Sequence, residues 1–178
     1  MKMGNTYEDI ARRSSTRFFT EEKIPEETLR KLVEAGLMGP TAANRQEIHF
    51  TVVPGGYPVL QEMEDEMYRL WGKGPSGKRF YYDAPAVIFL SGDGSMYWSP
   101  VDAGIAVENI ALAAEDLGLG SLIIGCVKDA LRGEKEAYFS KQLGFPEGYR
   151  FEVAIAVGYK AANKEPHTYD YESHVTVL

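Results

Sequence analysis

The sequence predicts a single α+β domain, because amphipathic helix patterns and short apolar strand patterns both recur along the chain. A helical period is clearest over residues 25–37, and residues 86–90 form the continuous apolar run that is typical of a strand buried on both faces. At 178 residues the chain has the length of one hydrophobic core. No internal repeat or low-complexity linker divides it, so residues 1–178 are predicted to form one domain.

Two helices are predicted before residue 40. Asn5 and Glu8 have the spacing of a capping box, which predicts a short helix that ends near Arg13. Pro25 suits the first position of a second helix, and Gly39 with the proline after it ends that helix. The apolar stripe of the second helix is predicted to comprise Leu29, Leu32, Val33 and Leu37.

A strand and a third helix are predicted next. Residues 48–53 alternate as a strand does, and Pro58 begins a helix after a Pro-Gly-Gly turn. The helix is predicted to bury Val59, Leu60, Met63, Met67, Leu70 and Trp71. Its acidic residues are predicted to face water, namely Glu62, Glu64, Asp65 and Glu66.

The second half of the chain contains an unusually apolar helix. Ser99 is predicted as its N-cap, and Gly118 is predicted to end it in the left-handed conformation. Its apolar residues surround the axis, which indicates burial on several sides, in the core or against a second subunit. Further strands are predicted over residues 121–126 and 151–157, with a helix over about 134–143 between them. The tail after Tyr159 has no helical period.

Composition excludes several classes of function. The net charge of −7 disfavours binding to nucleic acid, and no segment has the apolar character of a signal peptide or a membrane span. The lone cysteine, Cys126, favours a reducing cytoplasm, and its apolar surroundings predict a buried residue rather than a nucleophile. The three histidines, at positions 49, 167 and 174, are too scattered to predict a metal site.

Two polar clusters flank the second helix. Residues 13–17, Arg-Ser-Ser-Thr-Arg, offer two guanidinium groups and three hydroxyls, a donor set that suits a phosphate dianion. Residues 40–46, Pro-Thr-Ala-Ala-Asn-Arg-Gln, combine amides with small side chains that let a flat ring approach the backbone. Together they predict a site for a phosphorylated planar cofactor. Taken alone, residues 13–17 fit a solvated helix end with ordinary capping hydroxyls better than they fit a phosphate site.

The order of these features resembles the flavin-dependent nitroreductase family. Its N-terminal signature is similar to the two clusters, and its central helix and following turn are similar to Ser99-Pro100-x-Asp102-x-Gly104 with Asn109, then Gly118-Leu119-Gly120-Ser121. The resemblance covers about residues 8–158. It implies a three-layer α+β fold with a mainly antiparallel central sheet flanked by helices. It also implies a homodimer whose interface includes helix 100–117.

The resemblance implies FMN as cofactor and NAD(P)H as electron donor, with nitroaromatics, quinones or related compounds as acceptors. The phosphate would be held by the side chains of Arg13, Arg17 and Ser15 and the backbone amide of Ser14. The ring and ribityl chain would be walled by Pro40, Thr41, Ala42 and Asn44, with Gln46 near the pyrimidine edge. Backbone contacts to the ring would come from Leu122, Ile123, Ile124 and Gly125. No side chain is assigned as catalytic, because in that family flavin N5 carries the hydride. Since that flavin lies at the dimer interface, a monomer would not hold it.

The chain departs from the family pattern at two places. Relatives usually have Pro-Trp where this chain has Glu47 and Ile48, and a basic pair in the tail where it has His167 and Tyr169. Either Lys164 or His167 replaces that pair, or the phosphate pocket is less basic. Cations at positions 69, 73, 78 and 79 are either extra phosphate ligands or parts of a solvated loop.

Two alternatives belong to other functional classes. The same pocket would serve a flavin-binding carrier or sensor without turnover. Residues 72–78 match the glycine and lysine spacing of a P-loop nucleotide hydrolase, but an acidic helix precedes them and Arg79 replaces the Ser or Thr that binds Mg²⁺. The Gly118-Leu119-Gly120 segment lacks the preceding strand of a dinucleotide fingerprint, so helix termination is the better interpretation of this segment.

Overall fold

The computed structural model describes residues 6–74 and 77–178. Its helices are α1 (Thr6–Arg12), α2 (Glu26–Leu37), α3 (Pro58–Trp71), α4 (Ser99–Asp116), α5 (Lys128–Leu131), α6 (Glu136–Gln142) and α7 (Tyr171–His174). Its strands are β1 (His49–Pro54), β2 (Ala86–Asp93), β3 (Leu119–Ile124) and β4 (Tyr149–Tyr159). The predicted cap residue Asn5 lies outside the described residues.

The strands form one antiparallel sheet in the order β1-β2-β4-β3. The two central strands, β2 and β4, are therefore paired on both sides, whereas β1 and β3 form opposite edges. β2 is buried along almost its whole length, as its continuous apolar run predicts. This arrangement confirms the predicted α+β class with an antiparallel central sheet.

Helices cover both faces of the sheet and give three layers. On one face, α2 and α4 enclose a core that contains Leu32, Ile88 and Ile110. On the other, α3, α5 and α6 enclose a core that contains Met63, Phe89 and Phe139. Each face of the sheet therefore has its own hydrophobic core. Within the described ranges, no helix combines the length and apolar character that crossing a membrane requires.

Several predicted element boundaries shift. Pro25 is the N-cap of α2 rather than its first helical residue, and Ser99 is the first residue of α4 rather than its cap. The predicted strand 121–126 begins and ends two residues earlier, as β3. The tail contains α7, a single helical turn, because the Asp170 side chain accepts a hydrogen bond from the Ser173 amide. Gly118 ends α4 with a φ of +75°, as predicted.

Two acidic residues of α3 are buried, so the prediction that they face water was wrong. Glu66 lies 2.6 Å from Arg69 and 2.8 Å from Lys135, and hydrogen bonds from both lower its pKa to about 2. Burial raises the pKa of Glu64, which the Arg79 guanidinium at 3.6 Å partly opposes. Buried carboxylates need such partners, which these cations supply.

Other side chains are more exposed than predicted. Cys126 lies after β3 and is exposed, so the prediction of a buried strand residue was wrong. Three members of the predicted apolar stripes are also exposed, namely Leu37, Leu70 and Trp71. These residues lie in the last turns of α2 and α3.

Candidate functional site

The structure places residues 13–17 beside the outer edge of β3. The Arg13 amide donates to the Asp9 carbonyl at 2.8 Å, which closes the last turn of α1. The chain then runs alongside β3, where Ser15 pairs with Ser121 in an isolated parallel bridge and the Thr16 amide donates to the Ser121 carbonyl at 2.9 Å. Residues 13–17 therefore meet β3 immediately before residues 122–125. Two of the three predicted groups of site residues are thus brought together.

Gly120 is what lets these two segments approach so closely. A Cβ atom at this position would lie 2.5 Å from Thr16 Oγ1 and 2.8 Å from Thr16 Cγ2. Thr16 itself is only 3% exposed. Helix termination therefore accounts for Gly118, which ends α4, whereas the close approach to Thr16 accounts for Gly120. Helix termination requires only one glycine. The second glycine, Gly120, was therefore the sequence signal for this close approach.

The side chains of the first cluster have different partners. Arg13 Nε lies 3.6 Å from a carboxylate oxygen of Glu108 on α4. The Ser14 hydroxyl donates to the Lys164 carbonyl at 3.0 Å, which brings the tail to this cluster. Arg17 is exposed, and its guanidinium carbon lies 6.0 Å from the ring centre of Tyr82. Within residues 6–74 and 77–178, no carboxylate forms an ion pair with Arg17, so its charge is available to an anion.

The edge of β3 beyond this cluster presents backbone hydrogen-bonding groups. The Ser121 carbonyl faces outward to Thr16. Because backbone groups alternate in direction along a strand, the N–H and C=O of Ile123 face the same edge. Ile123 is partly exposed, and no atom lies within 4 Å of where a Gly125 side chain would begin. The edge is therefore open to a flat ligand.

A cavity of about 380 Å³ lies beside the end of this edge. Its wall includes Cys126, the residue after Gly125, and Tyr82, the ring beneath Arg17. The remaining lining residues are Glu64, Met67, Tyr68, Trp71, Lys73, Gly74, Lys78, Arg79 and Phe80. Although Cys126 is exposed, the cavity wall desolvates its thiol and raises its pKa, so it is protonated at neutral pH. The cavity thus adjoins both the cluster of residues 13–17 and the open strand edge.

The second cluster forms a rigid loop between α2 and β1. The Ala42 amide donates to Asp102 Oδ2 at 2.9 Å, and the Gln46 amide donates to Thr41 Oγ1 at 2.9 Å. Between these anchors, Ala43, Asn44 and Gln46 have φ values of 53°, 52° and 53°. Left-handed backbone costs a residue with a side chain about 1–2 kcal/mol, so these anchors maintain a strained conformation. Asp102 lies in the first turn of α4. The sequence motif that contains it does not predict its hydrogen bond to this loop, because the two residues are 60 positions apart.

The structure does not bring the two clusters together within one chain. Ser121 aligns through β4 and β2 with Pro54, at the end of β1, whereas the loop leads into its beginning at His49. With about 4.8 Å between strands and about 3.4 Å per residue, Ser121 and His49 lie roughly 20 Å apart. They occupy diagonally opposite corners of the sheet.

An exposed apolar surface surrounds the second cluster. Met38, at the end of α2, is 77% exposed, and Val101, in the first turn of α4, is 50% exposed. Leu37 and Trp98 add to the same exposed surface. We call these four residues the apolar face. Clustered exposed apolar side chains of this kind mark interaction surfaces.

The elements on either side of the P-loop-like segment are not those of a P-loop nucleotide site. A helix, α3, precedes it, and Phe80 to Tyr82 form turns rather than the start of a helix. Pro75 and Ser76 within the segment lie outside the described residues.

Comparison with known proteins agrees with these features. The sequence profile of the Nitroreductase family matches residues 10–159. A protein of Methanothermobacter thermautotrophicus, provisionally named an NADH dehydrogenase/NAD(P)H nitroreductase, is 32% identical over 163 residues, which span 88% of this chain and 78% of that protein.

Solved structures agree as well. A nitroreductase with bound FMN from Desulfitobacterium hafniense superposes with a TM-score of 0.88 at 34% identity, covering 99% of this chain and 100% of the other. A nitroreductase with bound FMN from Bacteroides fragilis gives a TM-score of 0.87 at 25% identity, covering 98% and 99%. With its antiparallel three-layer fold and this match over most of its length, the chain belongs to the nitroreductase family.

Proposed function

We propose that this protein is an FMN-dependent oxidoreductase that uses NAD(P)H to reduce nitroaromatics, quinones or related acceptors. One observation carries the proposal: a cluster with two arginines and three hydroxyl groups is fixed beside an open strand edge that leads into a cavity with aromatic walls. The FMN-bound structures of relatives and the NAD(P)H-linked name of another support it. Bound FMN would supply two-electron redox chemistry between the nucleotide and the acceptor.

The residues of the first cluster suit a phosphate. Arg17 has no competing carboxylate in the described part of the chain, and the Glu108 carboxylate holds the Arg13 guanidinium in place. The Ser14 hydroxyl is committed to the tail, which leaves its amide, together with the Ser15 hydroxyl, for a phosphate. Charge-assisted hydrogen bonds contribute about 1.5–3 kcal/mol each, so three or four would anchor the cofactor at this end.

The β3 edge suits the polar edge of a flavin ring. The outward N–H and C=O of Ile123 can bind ring acceptors and donors, and the absence of a side chain at Gly125 lets a flat surface approach. A donor that faces the pyrimidine edge favours the negative charge that develops there on reduction. Leu122 and Ile124, which are buried, would fix the edge from behind.

The second cluster would complete the site from another copy of the chain. Within one chain it lies too far from β3 to touch the same ring, whereas the apolar face around it suits burial against a second subunit. We therefore propose a homodimer in which the loop of residues 40–46 closes the flavin pocket of the partner. The wall of the ring and ribityl chain would then come from Pro40, Thr41, Ala42 and Asn44 of that loop, with Gln46 near the pyrimidine edge.

The tail would contribute Lys164 rather than His167. The hydrogen bond from Ser14 places the Lys164 backbone beside the phosphate cluster, whereas His167 borders a hollow formed by the tail itself. A lysine there would restore part of the positive charge that the usual basic pair provides. Lys164→Ala is expected to weaken FMN binding, and His167→Ala is expected to leave it unchanged.

The purified protein tests the proposal. Flavin absorption bands in the visible spectrum, FMN released on denaturation, and NAD(P)H oxidation that depends on an added nitroaromatic or quinone are expected. Bound flavin without NAD(P)H oxidation would instead identify a carrier or sensor. A colourless protein that does not take up added FMN would refute the flavin site itself.

A further inference from the structure

The cavity beside Cys126 has the shape and walls of a site for an aromatic ring. Tyr68 and Trp71 meet edge to face with ring centres 6.4 Å apart, and the Trp71 indole N–H is fixed by Asp129 at 2.8 Å. Tyr82 forms another part of the wall. Rings held in fixed orientations favour planar ligands that can stack or pack edge to face.

The lining of this cavity has more basic than acidic side chains, although the chain is acidic. Lys73, Lys78 and Arg79 line it, against one carboxylate, Glu64. Arg79 is largely neutralised, since it lies 3.6 Å from Glu64 and 3.6 Å from Asp83. In the ranges that the structure covers, no carboxylate forms an ion pair with Lys73.

Lys73 is held at this position by the end of α3. Gly72 ends the helix in the left-handed conformation with a φ of 61°, and the Lys73 amide donates to the Tyr68 carbonyl at 3.2 Å. This cap fixes the backbone of Lys73 one turn from Tyr68 and next to Trp71. The backbone of a lysine that lines the aromatic cavity is therefore fixed.

We propose that the cavity selects planar acceptors that carry an anionic group, such as an aromatic carboxylate, and that Lys73 determines this specificity. The inference rests on the proposed function, because it places the acceptor next to the flavin edge at Gly125. An ion pair at a half-enclosed site is stronger than in bulk water but is still screened. It therefore contributes discrimination between acceptors rather than most of the affinity.

Equilibrium binding to the oxidised, FMN-loaded protein tests this without turnover. The probes are 4-nitrobenzoate and its neutral isostere 4-nitrobenzamide, titrated by calorimetry in the absence of NAD(P)H. We expect the carboxylate to bind about 3- to 10-fold more tightly, Lys73→Gln to remove most of that ratio, and amide binding to stay within about twofold. Lys141→Gln, which removes an exposed lysine of α6 that does not line the cavity, is the matched control and should leave the ratio unchanged.

Four results would overturn the inference. The amide could bind as tightly as the carboxylate, the ratio could survive Lys73→Gln, or the control could reduce it equally. A fourth is loss of NADP⁺ affinity in Lys73→Gln with 4-nitrobenzoate binding unchanged, which would assign the lysine to the nucleotide phosphates. Flavin content, measured from the visible spectrum of each variant, separates these results from failure of the flavin site itself.

Discussion

Replacement of Gly120 by alanine tests how residues 13–17, the proposed phosphate ligands, are positioned. The added methyl group would lie 2.5 Å from Thr16 Oγ1 and 2.8 Å from Thr16 Cγ2. The third close atom, Lys160 Cγ at 2.9 Å, belongs to a flexible side chain that can move. Thr16 cannot move alone, because its amide is bonded to the Ser121 carbonyl at 2.9 Å. Gly120→Ala should therefore push residues 14–17 away from β3.

The expected losses of stability and of FMN affinity follow from the contacts that the methyl group would disturb. Overpacking of this kind typically costs about 1–3 kcal/mol of stability, which lowers the melting temperature by several degrees in a chain of this size. If the segment shifts, one or two charge-assisted hydrogen bonds to phosphate weaken, at about 1.5–3 kcal/mol each. We therefore expect FMN to bind about 10- to 100-fold more weakly.

The assay is titration of apoprotein with FMN, followed by quenching of flavin fluorescence. Gly133→Ala is the matched control, because its methyl group would meet the Asp129 carbonyl at 2.7 Å. This crowding lies between α5 and α6, outside all three groups of predicted FMN-binding residues, so it should lower stability without changing FMN affinity.

A second substitution tests whether the clash with Thr16 causes the loss of FMN affinity. Thr16→Ala removes both atoms that clash with the new methyl group, so the double variant Gly120→Ala with Thr16→Ala should recover most of the lost affinity. FMN affinity within twofold of wild type in Gly120→Ala, or no recovery in the double variant, would show that this close approach does not position the phosphate ligands.

Three further outcomes are expected. Arg13→Ala combined with Arg17→Ala should release FMN and leave the circular dichroism spectrum unchanged; undiminished flavin content would remove both residues from the site. Val101→Glu places a charge on the apolar face, so sedimentation equilibrium should show a shift toward monomer with loss of FMN, and a dimer that retains its flavin would contradict the proposed interface. The pKa of Glu66 falls from 4.5 to about 2 on folding, so its ion pairs stabilise the fold above pH 4.5 and this contribution is lost as pH falls toward 2. Glu66→Gln should therefore lower the free energy of unfolding at pH 7 by about 1 kcal/mol and have a smaller effect near pH 2; an equal effect at both values would exclude the ion pairs as the cause.

Much of the secondary structure follows from local chemistry. The apolar run at residues 86–90 predicts a strand covered on both faces, and β2 is such a strand. The period that begins after Pro25 predicts α2, and Gly118 ends α4 as a glycine with positive φ should. These features depend on residues within a few positions of one another, so a linear pattern contains the information. The types of side chain in both polar clusters are also visible in the sequence.

Burial of charged and polar residues depends on partners that are distant in sequence. The sequence predicts Glu66 as a solvated helix residue, because Lys135 approaches it only after α6 packs near α3. The sequence predicts Cys126 as a strand residue, because no neighbouring residue indicates that β3 ends at Ile124 or that a cavity lies beside Cys126. In both cases the surrounding elements, rather than neighbours in the chain, decide the environment.

The sequence alone determines that phosphate-binding and ring-binding residue types are present, since these are properties of individual side chains. Only the tertiary structure decides how they are arranged. The register of the sheet places the Arg-rich cluster beside β3 and the loop of residues 40–46 at the opposite corner, and Gly120 sets how closely the first cluster approaches. Strand order and register depend on packing across the whole molecule, which no local pattern encodes.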